Sequence, residues 1–443
     1  MEKLEYREPF IGYDIGLTEG YKYDVLIGEY GNPIIGIKVR NIVEQYSADK
    51  DLYMKYHSVL QNIISIIGEG HIVQKLDIFD KKFYEAEPHD EYLQQKYSEH
   101  FDQRIYKTIE TVLTFTHIVD KAKRNKAYSY SDKKDKSLRD KVEKVYMLLE
   151  QYGFQPQYLL ENHFEYYITS QLSMKFDANQ HSIDNIASFP THLKIGKQIV
   201  KTISYVDVEN IELPNSIPPY SKLGGNNATK DTAVDNFTFI NSLEYYNTII
   251  YNQVIYIPNQ TERNKFLVNK RNKHEGFATE PKNKIAAEEI TALLANVASD
   301  GQLIVDVHFS LIVACNSTDE METTQSMIEN QLFSKGIKTS EQSYNQFELF
   351  RSGLIGNATE LKDYDLFMTT SEASLCFFFK ESYPVDEDSQ FYLRFTDRQG
   401  VPLKIDPCDK WMNIRINNRN KFVLGPSGSG KSFLMNNIVE QYL

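Results

Sequence analysis

Residues 425–432 read Gly425-Pro426-Ser427-Gly428-Ser429-Gly430-Lys431-Ser432, a full match to G-x-x-x-x-G-K-[ST]. The apolar run Lys421-Phe422-Val423-Leu424 precedes it, and Phe433-Leu434-Met435-Asn436-Asn437-Ile438-Val439 follows. The first run predicts a strand and the second a helix, the strand–loop–helix setting of a phosphate-binding loop. By composition, the fixed positions would coincide by chance in such a chain on the order of 1% of the time. The competing reading, a Gly/Ser linker, leaves the adjacent Lys431 and Ser432 unexplained.

The chemistry of this pattern is specific. A triphosphate concentrates negative charge and needs many donors aimed inward. Gly425, Gly428 and Gly430 permit the backbone conformations that turn successive N–H groups toward one point. The helix opening at Lys431 adds unsatisfied N–H groups and a positive dipole end. Pro426 lacks an N–H, but it sits early in the loop and is expected to stiffen the turn without loss. Lys431 is expected to reach the β- and γ-phosphates, and the Ser432 hydroxyl to ligate Mg²⁺, so ATP and Mg²⁺ are the expected ligands. Hydrolysis needs more: an acidic residue on a neighbouring strand, a water-positioning group and usually an arginine finger. The sequence stops at Leu443, eleven residues past Ser432. No catalytic residue is therefore assigned within the chain, which is expected to be the N-terminal portion of a longer ATPase.

Bulk properties set the frame. A chain of 443 residues predicts two or three domains. Its 41% hydrophobic and 25% charged content is globular. A net charge of −12 argues against a nucleic-acid binder with an overall basic field. Cys315, Cys376 and Cys408 lie far apart, so neither a disulfide framework nor a structural zinc site is expected, and a reducing compartment is. The charged N-terminus is no secretory signal, and no apolar run approaches membrane-spanning length.

Upstream of the loop, alternating α and β signals predict an α+β region. Residues 25–28 and 34–39 read as a hairpin about Gly31-Asn32-Pro33. Leu52, Tyr56, Val59, Leu60, Ile63 and Ile67 mark the buried face of a helix, and strands follow at 72–79 and 107–119. Residues 121–137 are rich in Lys and Arg and read as a solvated loop. Helices are expected at 138–152, at 261–273 with Arg263, Lys265, Lys270, Arg271 and Lys273, and at 284–297. Residues 302–316 read as a long strand with Asp306, His308 and Ser310 on a polar face; His308 is expected to be a surface or packed residue. Ser317 with Glu320 forms a capping box. A strand at 337–339 and a helix at 347–350 complete a βαβ unit of ferredoxin type over about 284–352. Strands are expected at 375–379, 391–395, 401–405 and 411–416. The resulting division is a small α+β domain over 1–120, a basic loop over 121–137, an α+β middle domain over 138–400, and the start of a P-loop NTPase domain over 401–443.

The run Asn418-Arg419-Asn420-Lys421-Phe422-Val423-Leu424, continuing through the loop to Phe433, resembles the corresponding region of the TraG family, ATPases of Bacteroidetes conjugative transposons. That family is itself similar to the TrbE-type ATPases of type IV secretion. The resemblance extends more loosely to Thr370-Ser371-Glu372-Ala373-Ser374-Leu375-Cys376-Phe377-Phe378 and to Phe395-Thr396-Asp397-Arg398. It implies an ATPase of the HerA/FtsK-like class, cytoplasmic and peripheral at the inner membrane, assembled as a homo-oligomeric ring. Its implied partners are conjugation-channel subunits and, indirectly, a DNA–relaxase substrate. Only Gly425, Gly428, Gly430, Lys431 and Ser432 carry over from the family motif. The alternative from another class is a non-catalytic module that docks on secretion-channel subunits, its P-loop inactive.

Overall fold

The structure is a computed structural model. It describes residues 9–18, 21–45, 49–119, 132–176, 183–206, 213–214, 216–223, 232–277, 280–340, 344–384, 386–387, 389, 392–397, 400–408 and 420–442. They form two compact units, one from residues 1–79 and 110–382, the other from 80–109 and 383–443.

The chain opens with β1 (Phe10–Thr18), β2 (Tyr21–Gly28), β3 (Pro33–Val39) and β4 (Val43–Glu44), then α1 (Lys50–Ile67), β5 (His71–Phe83), α2 (Tyr92–Phe101) and β6 (Ile105–His117). Next come α3 (Asp132–Gln151), β7 (Gln157–Tyr158), α4 (Glu161–Ser173), β8 (Ile186–Ser188), β9 (Leu193–Ile195), β10 (Gln198–Ser204), β11 (Ser221–Leu223) and β12 (Thr232–Val234). They are followed by β13 (Thr248–Ile257), α5 (Gln260–Gly276), α6 (Pro281–Asp300), β14 (Ile304–Cys315), α7 (Thr318–Phe333) and α8 (Gln346–Ser352). The last elements are β15 (Phe367–Thr370), α9 (Ser371–Leu375), β16 (Glu381–Ser382), β17 (Leu393–Thr396), β18 (Pro402–Ile405) and α10 (Lys431–Tyr442). Among the described residues, twelve strands share one sheet with the central order β1-β2-β3-β6-β5-β13-β14-β10-β9-β8, and nearly all pairings are antiparallel. The architecture is α+β.

Local chemistry explains these elements where the sequence was clear. The hairpin β2–β3 turns at Gly31, whose φ of +74° suits glycine. In α1 the Asp49 side chain accepts from the Asp51 and Leu52 N–H groups, and Gly68 ends the helix at φ +65°. Tyr53, Tyr56, Val59, Leu60, Ile63 and Ile67 form its buried face. Ser317 caps α7 by accepting from the Glu320 N–H at 3.3 Å, and the Glu320 carboxylate returns to the Asn316 N–H at 3.0 Å.

Elsewhere the structure departs from expectation. Residues 375–379 are not a strand: α9 takes their start, nucleated by Thr370, whose hydroxyl accepts from the Ala373 N–H. Phe377 stacks on Phe309 at 5.0 Å and Phe379 meets Phe79 edge-on at 5.1 Å, so tertiary packing overrides the strand propensity of this run. Residues 337–340 lie outside the sheet ladder, although the Ser340 N–H bonds the Ser204 carbonyl at 2.9 Å. In β14 the polar positions are buried along with the apolar ones, because β13 and β10 flank it and both faces are covered. His308 is one of them. Its ring bonds the Asp365 carbonyl at 2.9 Å and the Ser310 hydroxyl at 3.0 Å, and burial pushes its pKa down to about 4. Of the expected basic loop, residues 132–137 are the first turns of α3; the remainder, like the expected strand at 411–416, lies outside the described residues.

The apolar core of the larger unit fully encloses a pair of charges. Lys75 and Asp77 stand two apart on one face of β5, are both fully buried, and form an ion pair. Asp77 also accepts from Thr111 of β6 at 2.6 Å, Gln253 of β13 at 2.6 Å and Asn41 at 3.1 Å. Lys75 donates to the Phe379 carbonyl at 2.9 Å. A charge buried this deeply is tolerated only when every lone pair and proton is matched. Lys75→Ala is therefore expected to cost about 3–5 kcal/mol in urea unfolding, because Asp77 stays buried without its cation. The double substitution Lys75→Met/Asp77→Leu is expected to recover part of that loss. A single-site cost within the noise of a surface substitution would contradict the assignment.

Candidate nucleotide-binding site

The smaller unit carries the loop. Its hairpin pairs β17 with β18 in the register Leu393↔Ile405 to Thr396↔Pro402. Asp397 shapes the connection: its carboxylate accepts from the Val401 N–H at 2.8 Å, and Gly400 turns with φ +77°. Tyr383, Val401 and Leu403 form a small core there, with Ile109 and Ile405 packed against it.

Arg394 of β17 is the organising side chain. It is 4% exposed. Its guanidinium donates to His89 Nε2 at 2.7 Å, to the Tyr84 hydroxyl at 3.2 Å and to the Gln94 amide oxygen, and it lies 5.0 Å from the Tyr97 ring centre. Burial, reinforced by the Arg394 charge, lowers the His89 pKa and keeps that ring an acceptor. The Arg394 backbone reaches the other way. Its N–H donates to Gln441 Oε1 at 2.7 Å, near the end of α10. A second tie joins the Tyr442 hydroxyl to Cys408 Sγ at 2.7 Å. The C-terminal end of α10 is thus anchored, and its N-terminal end presents the loop.

All eight expected site residues, Gly425, Pro426, Ser427, Gly428, Ser429, Gly430, Lys431 and Ser432, fall in one continuous turn into α10. Gly428 and Gly430 have φ of +77° and +82°, a left-handed region that L side chains rarely adopt. At Gly425 a Cβ would lie 2.6 Å from Ser429 Oγ, so a larger residue there would require the Ser429 side chain to turn away. The Ser429 N–H bonds the Pro426 carbonyl at 3.3 Å, and the Leu434 N–H opens the helix on the Gly430 carbonyl at 2.9 Å. The Lys431 ammonium folds back over the loop onto the Pro426 carbonyl at 2.6 Å. Pro426, read from sequence only as a stiffener, supplies the acceptor for both contacts. Lys431 and Ser432 occupy the first two positions of α10, where backbone N–H groups have no intrahelical partner. This donor set, with one cation and one hydroxyl at a helix N-terminus, fits a magnesium-bound polyphosphate.

One expectation fails at this site. Residues 421–424 are not a strand, and among the described residues no strand pairs with them. A strand exists only through its ladder, so the apolar run alone does not make one. Phe422 is 87% exposed, Leu424 84% and Phe433 79%. Neither sequence periodicity nor motif spacing marked Arg394; its only signal was a lone arginine in an apolar strand.

Arg394→Ala is expected to lower stability by about 2–3 kcal/mol, because Gln94 and His89 lose a buried charged donor. Urea unfolding checks this, and an unchanged midpoint would contradict it.

Among the described residues, no helix is long and apolar enough to cross a membrane. No curated protein matches the chain. The TraG P-loop domain matches residues 392–443, a span that begins beside Arg394 and takes in the hairpin, the loop and α10. A nucleotide-binding protein of conjugation is what that match suggests, and the C-terminal stretch of this chain is similar to the P-loop domain of TraG.

Proposed function

We propose that the chain contributes the ATP-binding loop of a conjugation ATPase that energises DNA transfer through a type IV secretion channel. The observation that carries this reading is the TraG P-loop match, which falls on a loop with left-handed glycines and a lysine at a helix N-terminus. The N–H groups from Gly428 to Ser432 hold the phosphates, Lys431 supplies a positive charge, and the Ser432 hydroxyl faces the metal. Bound Mg²⁺ would neutralise charge developing between the β- and γ-phosphates. The HerA/FtsK-like class of the loop, the ring assembly, docking on channel subunits and a place at the inner membrane belong to the same proposal. So do the ferredoxin-like reading of 284–352, in which α6, β14 and α7 follow in the expected order while residues 337–340 add no strand, and the division of the chain at 120, 137 and 400.

Lys431→Ala tests the reading in cells carrying the conjugative element. Transfer frequency is expected to fall by about a hundredfold or more, because a transferred phosphoryl group loses its cationic partner. The variant should accumulate to wild-type level, since among the described residues the Lys431 ammonium bonds the Pro426 carbonyl of its own loop. Undiminished transfer would overturn the proposal.

A further inference from the structure

Helices α5 and α6 form an antiparallel pair inserted between β13 and β14. Each packs chiefly against the other. Leu267 is the buried residue of α5 and Ala287 that of α6. Gln260 and Arg263 tie the near end of the pair to Ile304 and Asp306 of β14, and the opposite end forms the tip of an arm. With seventeen residues, α5 is about 25 Å long.

The far end of this arm has a composition unlike the rest of the chain. Residues 265–285 hold six basic residues, Lys265, Lys270, Arg271, Lys273, Lys282 and Lys284, against Glu275 and Glu280, four positive charges in excess. The whole chain carries −12. Charges separated by more than about 10 Å are largely screened at ordinary ionic strength, so a surface meeting the tip senses the local excess. Large apolar side chains lie among these cations. Phe277, at the end of α5, is 70% exposed, and Ile285, in the first turns of α6, is 54% exposed. Lys270 and Lys273, three residues apart, share one face of α5.

We propose that the tip of the α5–α6 arm docks on an anionic lipid surface. Phe277 and Ile285 enter the boundary between headgroups and acyl chains, and Lys270, Lys273, Lys282 and Lys284 meet the lipid phosphates. The side-chain chemistry favours lipid over nucleic acid. Five of the six cations are lysines, compact point charges suited to a diffuse anionic layer. The one arginine is engaged by Glu275 at 3.5 Å, so no planar fork is offered to a base edge. The proposal rests on the reading that the protein works at a membrane, but not on its nucleotide site.

Co-sedimentation of the full chain with vesicles tests it. Vesicles of phosphatidylcholine mixed with phosphatidylglycerol should bring the protein down, vesicles of phosphatidylcholine alone should not, and added salt should release it. Lys270→Glu/Lys273→Glu and Phe277→Ser/Ile285→Ser should each weaken binding by about tenfold or more. These side chains are exposed or on exposed faces, and circular dichroism verifies the fold. Should the charge reversal disturb α5, Lys270→Ala/Lys273→Ala gives the same comparison. Lys431→Ala should leave vesicle binding intact, which separates this proposal from the nucleotide reading. Absence of binding, equal binding to both vesicles, indifference to the substitutions, or displacement by an oligonucleotide at lower concentration than by lipid would each overturn it.

Discussion

The buried ion pair of Lys75 and Asp77 is the constraint around which the larger unit closes. Removing either charge from water is expensive, and only a complete set of partners offsets it. Those partners come from β5, β6, β13, the turn after β3 and the Phe379 backbone. Their sequence separations run to about three hundred residues, so the pair is satisfied only when the sheet is assembled. The segment after α9 is positioned as a consequence. The Phe379 N–H donates to Gln253 at 2.8 Å and the Asn41 amide donates to the Glu381 carbonyl at 2.9 Å.

Glu381 extends this polar core rather than standing apart from it. Its carboxylate accepts from the Tyr53 hydroxyl at 2.7 Å, the Asp235 N–H at 2.7 Å and Thr238 Oγ1 at 2.8 Å. Burial first, then the neighbouring Asp235 charge, pushes its pKa up to about 7. The larger unit thus combines an apolar sheet with an internal charged seam. The smaller unit repeats the device on a lesser scale, with Arg394 as the enclosed charge. Its backbone bond to Gln441 links the hairpin to the helix that carries the phosphate loop. Both seams spend the desolvation cost of a charge on uniqueness of arrangement, which apolar packing alone specifies less sharply.

What could be read from the residues follows from the range of the physics involved. The α1 face, the β2–β3 hairpin, the Ser317 cap and the loop at 425–432 are local: a period, a turn residue or a motif carries each. The strand expected at 375–379 failed because Phe377 and Phe379 answer to aromatic partners distant in sequence, not to their neighbours. The strand expected at 421–424 failed for a related reason, since a ladder is a property of two segments. Lys75 and Asp77 alternate along β5 as a solvated face would, and nothing local shows that β6 and β13 enclose them. Within the site, the glycines and Lys431 were legible from chemistry; the Arg394 tether and the acceptor role of the Pro426 carbonyl were not, because both depend on the path of the folded chain.

The central claim is that the backbone amides leading into α10 cradle a triphosphate. Amide hydrogen exchange across residues 420–442, with and without millimolar Mg–ATP, addresses it residue by residue. The account predicts slowed exchange centred on Gly428 to Ser432, and no such slowing in the Lys431→Ala protein. Unchanged exchange at these amides at saturating nucleotide, or protection confined to the larger unit, would contradict it.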